Sequence, residues 1–186
     1  MGEHLLVTLG KDRFANPQRY LVHFVDDKTQ NDFLNDIENI PHAYVLACLM
    51  DRQIKAERAW SIPYLVKNII GSFDIDHLAS VTLDEYKKIF NSHKLHRFND
   101  TMADVFCAAV QDIKTNYDSD VSRIWRNNPS SARVVYDFLQ FKGSGKKIAT
   151  MAANILARQF KVPFSDYYSI DISPDIHILR VMRRSG

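Results

Sequence analysis

From Gln30 onward apolar residues recur at steps of three and four, and that period commits the chain to packed helices. Residues 31–39 set Phe33, Leu34 and Ile37 on one side, and Pro41 suits the first turn of a more buried helix carrying Tyr44, Val45, Leu46, Cys48 and Leu49. A third helix is predicted over 55–70, stopping at Gly71. Thr82 and Glu85 fit a capping box that opens a helix with Tyr86, Ile89 and Phe90 inward. Asn99 or Asp100 caps the next, which holds Met102, Val105, Phe106, Ala109, Val110 and Ile113. Pro129 and Ser130 start another, carrying Ala132, Val135, Tyr136 and Leu139. The fold class is mainly α, a multi-helix bundle with short loops and no detectable internal repeat.

The first residues differ. Segments 4–9 and 20–25 are rich in Val, Leu, Tyr and Phe and are separated by Gly10-Lys11-Asp12 and Asn16-Pro17, a pattern that predicts a short N-terminal β-hairpin. The organisation expected is thus a strand-rich segment over 1–28 and a helical domain over 29–186. With 46% hydrophobic residues in 186, that domain can bury a sizeable core. Apolar runs such as 43–50 fall short of the roughly 20 residues a membrane span needs, and the start lacks a signal-peptide pattern. A cytoplasmic, nucleoid-associated or nuclear setting is expected, without secretion or a membrane partner. Cys48 and Cys107 sit in apolar helical patterns and read as packing residues rather than a disulfide or metal site.

Net charge is +2, but unevenly spread. Residues 142–186 hold Lys142, Lys146, Lys147, Arg158, Lys161, Arg180, Arg183 and Arg184 against three Asp, a basic quarter on a slightly acidic body. A localised polyanion-binding face follows. The same region contains the most informative stretch, Leu139 through Ala149, in which one amphipathic helix stops at Gly143-Ser144-Gly145 and another starts at once. Two glycines allow the chain to reverse with positive φ and leave the backbone N–H groups open to a phosphate at the positive end of the second helix. Lys146 and Lys147 follow the turn, and Ala149 and Ala153 permit close helix packing.

Phe141-Lys142-Gly143-Ser144-Gly145-Lys146-Lys147-Ile148-Ala149 resembles the hairpin of the helix-hairpin-helix base-excision DNA glycosylases, the superfamily of endonuclease III and 8-oxoguanine glycosylase. Gly143, Gly145, Lys147 and Ala149 match its pattern, whereas Lys142 replaces a proline and Ser144 an apolar residue. Downstream, Asp175, His177, Arg180, Val181 and Arg184 match the family's Val-Asp-x-His-x-x-Arg-Val-x-x-Arg signature in the correct order. A fainter match at 47–56 resembles a turn whose glutamine enters the DNA stack beside an extruded nucleotide. Gln53 takes that place, with Arg52, Lys55 and Arg58 set to bind nearby phosphates.

The resemblance implies a hairpin over 139–157, a helix with the catalytic aspartate over 173–184, and Lys147 and Asp175 as the catalytic pair. Cleaving an N-glycosidic bond develops positive charge on the sugar, which a carboxylate stabilises, while a neutral lysine amine can attack C1′ and form a Schiff base. DNA binding is assigned to Gly143, Ser144, Gly145, Lys146, Gln53, Arg52, Lys55, His177 and Arg180. The interval from Lys147 to Asp175 is longer than in familiar members, which makes Asp171 a competitor for the carboxylate role. Trp60 reads as core, and Arg97 stands in a loop that faces DNA in the family. Relatives with an iron–sulfur cluster carry it beyond the point where this chain stops at Gly186, and the two cysteines do not supply its ligands, so no cofactor is expected. The partner implied is duplex DNA with a damaged base or abasic site. A non-catalytic helix-hairpin-helix DNA-binding protein and a helical interaction protein are the competing readings. Protein partners, oligomeric state and the damaged base are not legible.

Overall fold

The computed structural model describes residues 5–15, 18–167, 170–171, 180–181 and 183–184. Among them it contains the α-helices α1 (Leu5–Ala15), α2 (Lys28–Asn35), α3 (Pro41–Met50), α4 (Ala56–Ile70), α5 (Ile75–Ser80), α6 (Leu83–Ser92), α7 (Asn99–Asn116), α8 (Ser131–Gln140) and α9 (Lys146–Arg158), with a 3-10 turn at Val121–Ile124. No strand occurs among the described residues, and no helix there is long and apolar enough to cross a membrane.

Local chemistry sets several of the ends, but α7 begins at Asn99 after Phe98 with no side-chain cap, so neither Asn99 nor Asp100 caps it as expected. Asp27 caps α2 through Gln30 N–H, Ser130 caps α8 through Arg133 N–H, and Thr82 and Glu85 make the reciprocal bonds of the capping box on α6. Gly71 closes α4 in the left-handed region at φ 83°, where a Cβ would be penalised. The short helix α5, capped by Asp74, has too few apolar positions to declare itself by periodicity.

The N-terminal β-hairpin is not formed. Residues 5–15 are helical, and residues 20–25 form no strand: 20–23 have no regular structure and 24–26 bend. The backbone of this second stretch bonds to side chains instead. Asn35 Oδ1 accepts from Val22 N–H, and Asn31 Oδ1 accepts from Phe24 and Val25 N–H at 2.9 and 3.1 Å. Two buried asparagines of α2 thus hold the Val22, Phe24 and Val25 amides, and Tyr20 N–H donates to the Gln159 carbonyl at 3.1 Å, so these groups need no ladder partner.

All ten residues of α3 are buried, so this helix is the axis on which α4, α7 and α9 pack. Around it Phe24 stacks on Trp60 with ring centroids 4.1 Å apart, and Tyr44 meets Phe160 edge-on at 5.3 Å. Trp60 is a core residue, as is Cys48, whose thiol burial holds well above its ordinary pKa; Cys107 is half-buried. Tyr44 Oη donates to the Ala152 carbonyl at 2.9 Å, tying α3 to α9. In α8 the buried stripe is Ser131, Val134, Asp137 and Phe138, whereas Tyr136 and Leu139 are exposed. Both phases of α8 are amphipathic in the sequence, and contact with α9 and the 3-10 turn selects one.

Candidate functional site

The C-terminus of α3 and the N-terminus of α9 meet at an open cleft of about 490 Å³, lined by Asp51, Arg52, Gln53, Gly143, Ser144, Gly145, Lys147 and Ile148. Two stretches 90 residues apart in sequence are thereby joined. Each wall is a tight turn. After α3 the Arg52 N–H donates to the Met50 carbonyl at 2.8 Å, and Gln53 then takes φ 54°, left-handed backbone that a non-glycine residue enters at a cost. His96, only 4% exposed, lies beneath this turn, and its Nδ1 accepts from Phe98 N–H at 3.0 Å. Burial lowers its pKa, and the Met50 and Arg52 carbonyls oppose the shift.

The opposite wall is the turn between α8 and α9, closed by Ser144 N–H donating to the Phe141 carbonyl at 3.0 Å. Its glycines are not equivalent. Gly143 has φ 81°, and a Cβ there would lie 2.9 Å from Val105 Cγ2 and 3.4 Å from Arg52 Nη1. The chain reverses in direct contact with α7 below and the Arg52 guanidinium above. Gly145 has extended backbone, φ −131° and ψ 174°, and a Cβ would meet nothing within 4 Å. The expectation of positive φ at both glycines is therefore corrected: one glycine makes the reversal and the other presents a bare N-cap. As an N-cap without a side chain, Gly145 offers the first amides of α9 no capping oxygen of its own. Among the described residues the buried Ser144 Oγ has no hydrogen-bond partner.

Lys147 lies in the first turn of α9 with its side chain 54% exposed, and its Nζ stands 3.9 Å from Asp51 Oδ2, a carboxylate only 12% exposed. Lys142 is bound at 2.6 Å to Asp104 of α7, which anchors the turn rather than opening it to a ligand. Lys146, Gln53 and Lys55 are exposed. Arg58 is exposed, and its guanidinium is engaged within the protein: Nε donates to the Leu95 carbonyl at 3.1 Å and Nη2 to that of Lys94 at 2.7 Å, carbonyls that follow α6 without helical partners. Arg97 stacks its guanidinium over the exposed Phe98 ring at 5.2 Å, in the loop that carries His96.

Asp175 and His177 lie outside the described residues. Arg180 is exposed. Asp171 is exposed too, and its carbonyl accepts from Asn154 Nδ2 at 2.6 Å, which brings the segment after α9 back alongside that helix two turns beyond Lys147. Asp51 was not anticipated. Its only sequence signal is an acidic residue directly after an apolar helix, at the negative end of the macrodipole where anions are disfavoured. Among the described residues no three His, Cys, Asp or Glu side chains gather as metal ligands. No family model, curated protein or solved structure matches the chain.

Proposed function

We propose that this protein is a helix-hairpin-helix DNA glycosylase, with Lys147 as nucleophile and AP lyase activity following from its Schiff base. The observation that carries the reading is the meeting in one cleft of Arg52, Gln53, the Gly143-Ser144-Gly145 turn and Lys147. The uncapped start of α9 and the bare Gly145 backbone suit a DNA phosphate. Gln53, held exposed on left-handed backbone, suits the gap left by an extruded nucleotide. Lys146 and Arg52 supply cationic side chains at the same edge, and Lys55, His177 and Arg180 are proposed as further DNA contacts. The carboxylate role belongs to Asp175 in this reading.

In the reaction the neutral Lys147 amine attacks C1′, and the C1′–N bond breaks with its electron pair leaving on the base. The attacking nitrogen loses a proton and the base gains one. The nitrogen lone pair then forms C1′=N as the C1′–O4′ bond breaks, its electron pair leaving on O4′, which takes up a proton, and the resulting Schiff base permits strand cleavage by elimination.

Duplexes carrying oxidised pyrimidine, 8-oxoguanine, uracil or an abasic site, incubated with borohydride, test this. A covalent band absent in Lys147→Gln supports the reading and names the lesion class. Salt-sensitive binding without trapping or base release reduces it to a non-catalytic DNA-binding module. Absence of salt-dependent binding leaves a helical interaction protein.

A further inference from the structure

His96 is a buried ring of which the fold uses one nitrogen. It stands in the loop between α6 and α7, where its backbone N–H donates to Asn99 Oδ1 at 2.9 Å. Its Nδ1 accepts from Phe98 N–H at 3.0 Å, so the neutral ring carries its hydrogen on Nε2. That Nε2 is buried and has no hydrogen-bond partner among the described residues. The carbonyls that act on the ring are those of Met50 and Arg52, at the negative end of α3. For the fold alone, an orphaned buried donor is a cost that an apolar side chain would avoid.

The turn above the ring is the one that holds Gln53 at φ 54°. It begins with Asp51 at φ −76° and ψ 65°, a tight bend closed by Arg52 N–H on the Met50 carbonyl. The loop below is anchored from α4, by Arg58 on the carbonyls of Lys94 and Leu95. His96 follows that anchor directly and thus stands between a fastened loop and a strained turn. We infer that His96 is a positioning residue for Gln53, a strut whose neutral ring braces the 50–53 turn against the 95–98 loop and which protonation releases. A second proton would sit on Nδ1 and face the Phe98 N–H, donor against donor, so the bond that fixes the ring would be lost. Among the charged side chains around it, Arg52 opposes that proton, Arg58 is committed to the loop carbonyls, Arg97 lies over the Phe98 ring, and Asp51 faces Lys147 across the cleft. Burial acts in the same direction as Arg52, so the strut is intact at neutral pH and fails on acidification. The inference rests on the reading of Gln53 as the residue that enters the DNA stack.

Two experiments on the full chain decide it. The first needs no DNA. His96→Asn keeps an acceptor within reach of Phe98 N–H but removes the end of the ring beneath the turn. Amide exchange read by NMR as protection factors should fall about 3- to 10-fold at Asp51 and Arg52, whose amides close the bend, while the amides of α7 stay unchanged. In wild type the same two amides should lose protection between about pH 7.5 and 5.5, in step with the titration of the His96 ring followed by its own resonances. Unchanged protection in His96→Asn overturns the inference, and so does a wild-type pH profile that ignores the His96 titration; the wild-type profile decides by itself if the variant does not fold. In the second experiment, His96→Asn should lower the preference for abasic-site over intact duplex about 3- to 10-fold at neutral pH. It should add nothing in a Gln53→Ala background, because both changes act through one side chain. An additive loss overturns the inference. If wild type shows no preference for the abasic duplex, the glycosylase reading fails by itself and the exchange data still decide what His96 does.

Discussion

Gly143→Ala is the perturbation whose cost can be worked most directly from the geometry. Left-handed backbone at φ 81° costs an alanine about 1–2 kcal/mol relative to glycine. The new Cβ would also stand 2.9 and 3.2 Å from the two methyls of Val105, which is 2% exposed on α7 and has no space to swing into. Overpacking of that kind adds about 1–3 kcal/mol. Together the two effects come to about 2–5 kcal/mol, which for a chain of this size lowers the melting temperature by roughly 4–20 °C. Differential scanning calorimetry and urea unfolding measure it. Gly145→Ala is the matched control, because its extended backbone accepts any residue and its Cβ would enter open space. That variant should melt within about 2 °C of wild type, the scale of an ordinary surface substitution, yet bind duplex DNA more weakly if a phosphate approaches the bare N-cap. In a Val105→Ala background, Gly143→Ala should retain only the backbone part of its cost. A Gly143→Ala protein that melts like Gly145→Ala, or a cost undiminished by Val105→Ala, would refute the assignment of the reversal to a single glycine against α7.

Other perturbations separate fold from function. Ser144→Ala should raise the urea midpoint by the equivalent of up to about 1 kcal/mol, because it removes a buried hydroxyl with no partner; a lower midpoint would mean the hydroxyl is satisfied. Arg58→Ala should lose about 1–3 kcal/mol of stability as the carbonyls of Leu95 and Lys94 lose a charged donor, with the salt slope of DNA binding unchanged. A reduced slope would restore Arg58 to the phosphate contacts. Burial lowers the pKa of His42, against the opposing Phe73 carbonyl and Asp74 charge, and likewise that of His96. The unfolded chain therefore takes up these protons first, so stability is retained above about pH 6.5 and lost as pH falls below it toward the folded pKa values. Melting temperature should decline between pH 7 and 5, and His42→Gln should flatten part of that decline; a midpoint that rises on acidification contradicts the burial argument.

Several readings that needed only near neighbours along the chain agree with the structure, although the cap expected at Asn99 or Asp100 does not form. The capping box at Thr82 and Glu85, the stop at Gly71 and the inward face of α7 depend on residues three or four apart, and such contacts are local consequences of helical geometry. The bend at Gly143 is legible for the same reason, since glycine followed at once by a new amphipathic period leaves few alternatives. Tertiary structure decided the rest. Residues 4–9 and 20–25 have strand-forming composition, but a strand needs a partner, and buried asparagines of α2 accept from the Val22, Phe24 and Val25 amides of the second stretch. The phase of α8 was open until α9 packed on it, and the separate duties of Gly143 and Gly145 appear only once Val105 lies beneath one of them. Asp51 shows the limit most clearly. Its meaning depends on a lysine 96 residues away, brought within 3.9 Å because α3 and α9 pack in the same core and turn their ends toward one cleft. Side-chain charge and helix period are written in the sequence, whereas which charges face each other is a property of how the helices cross.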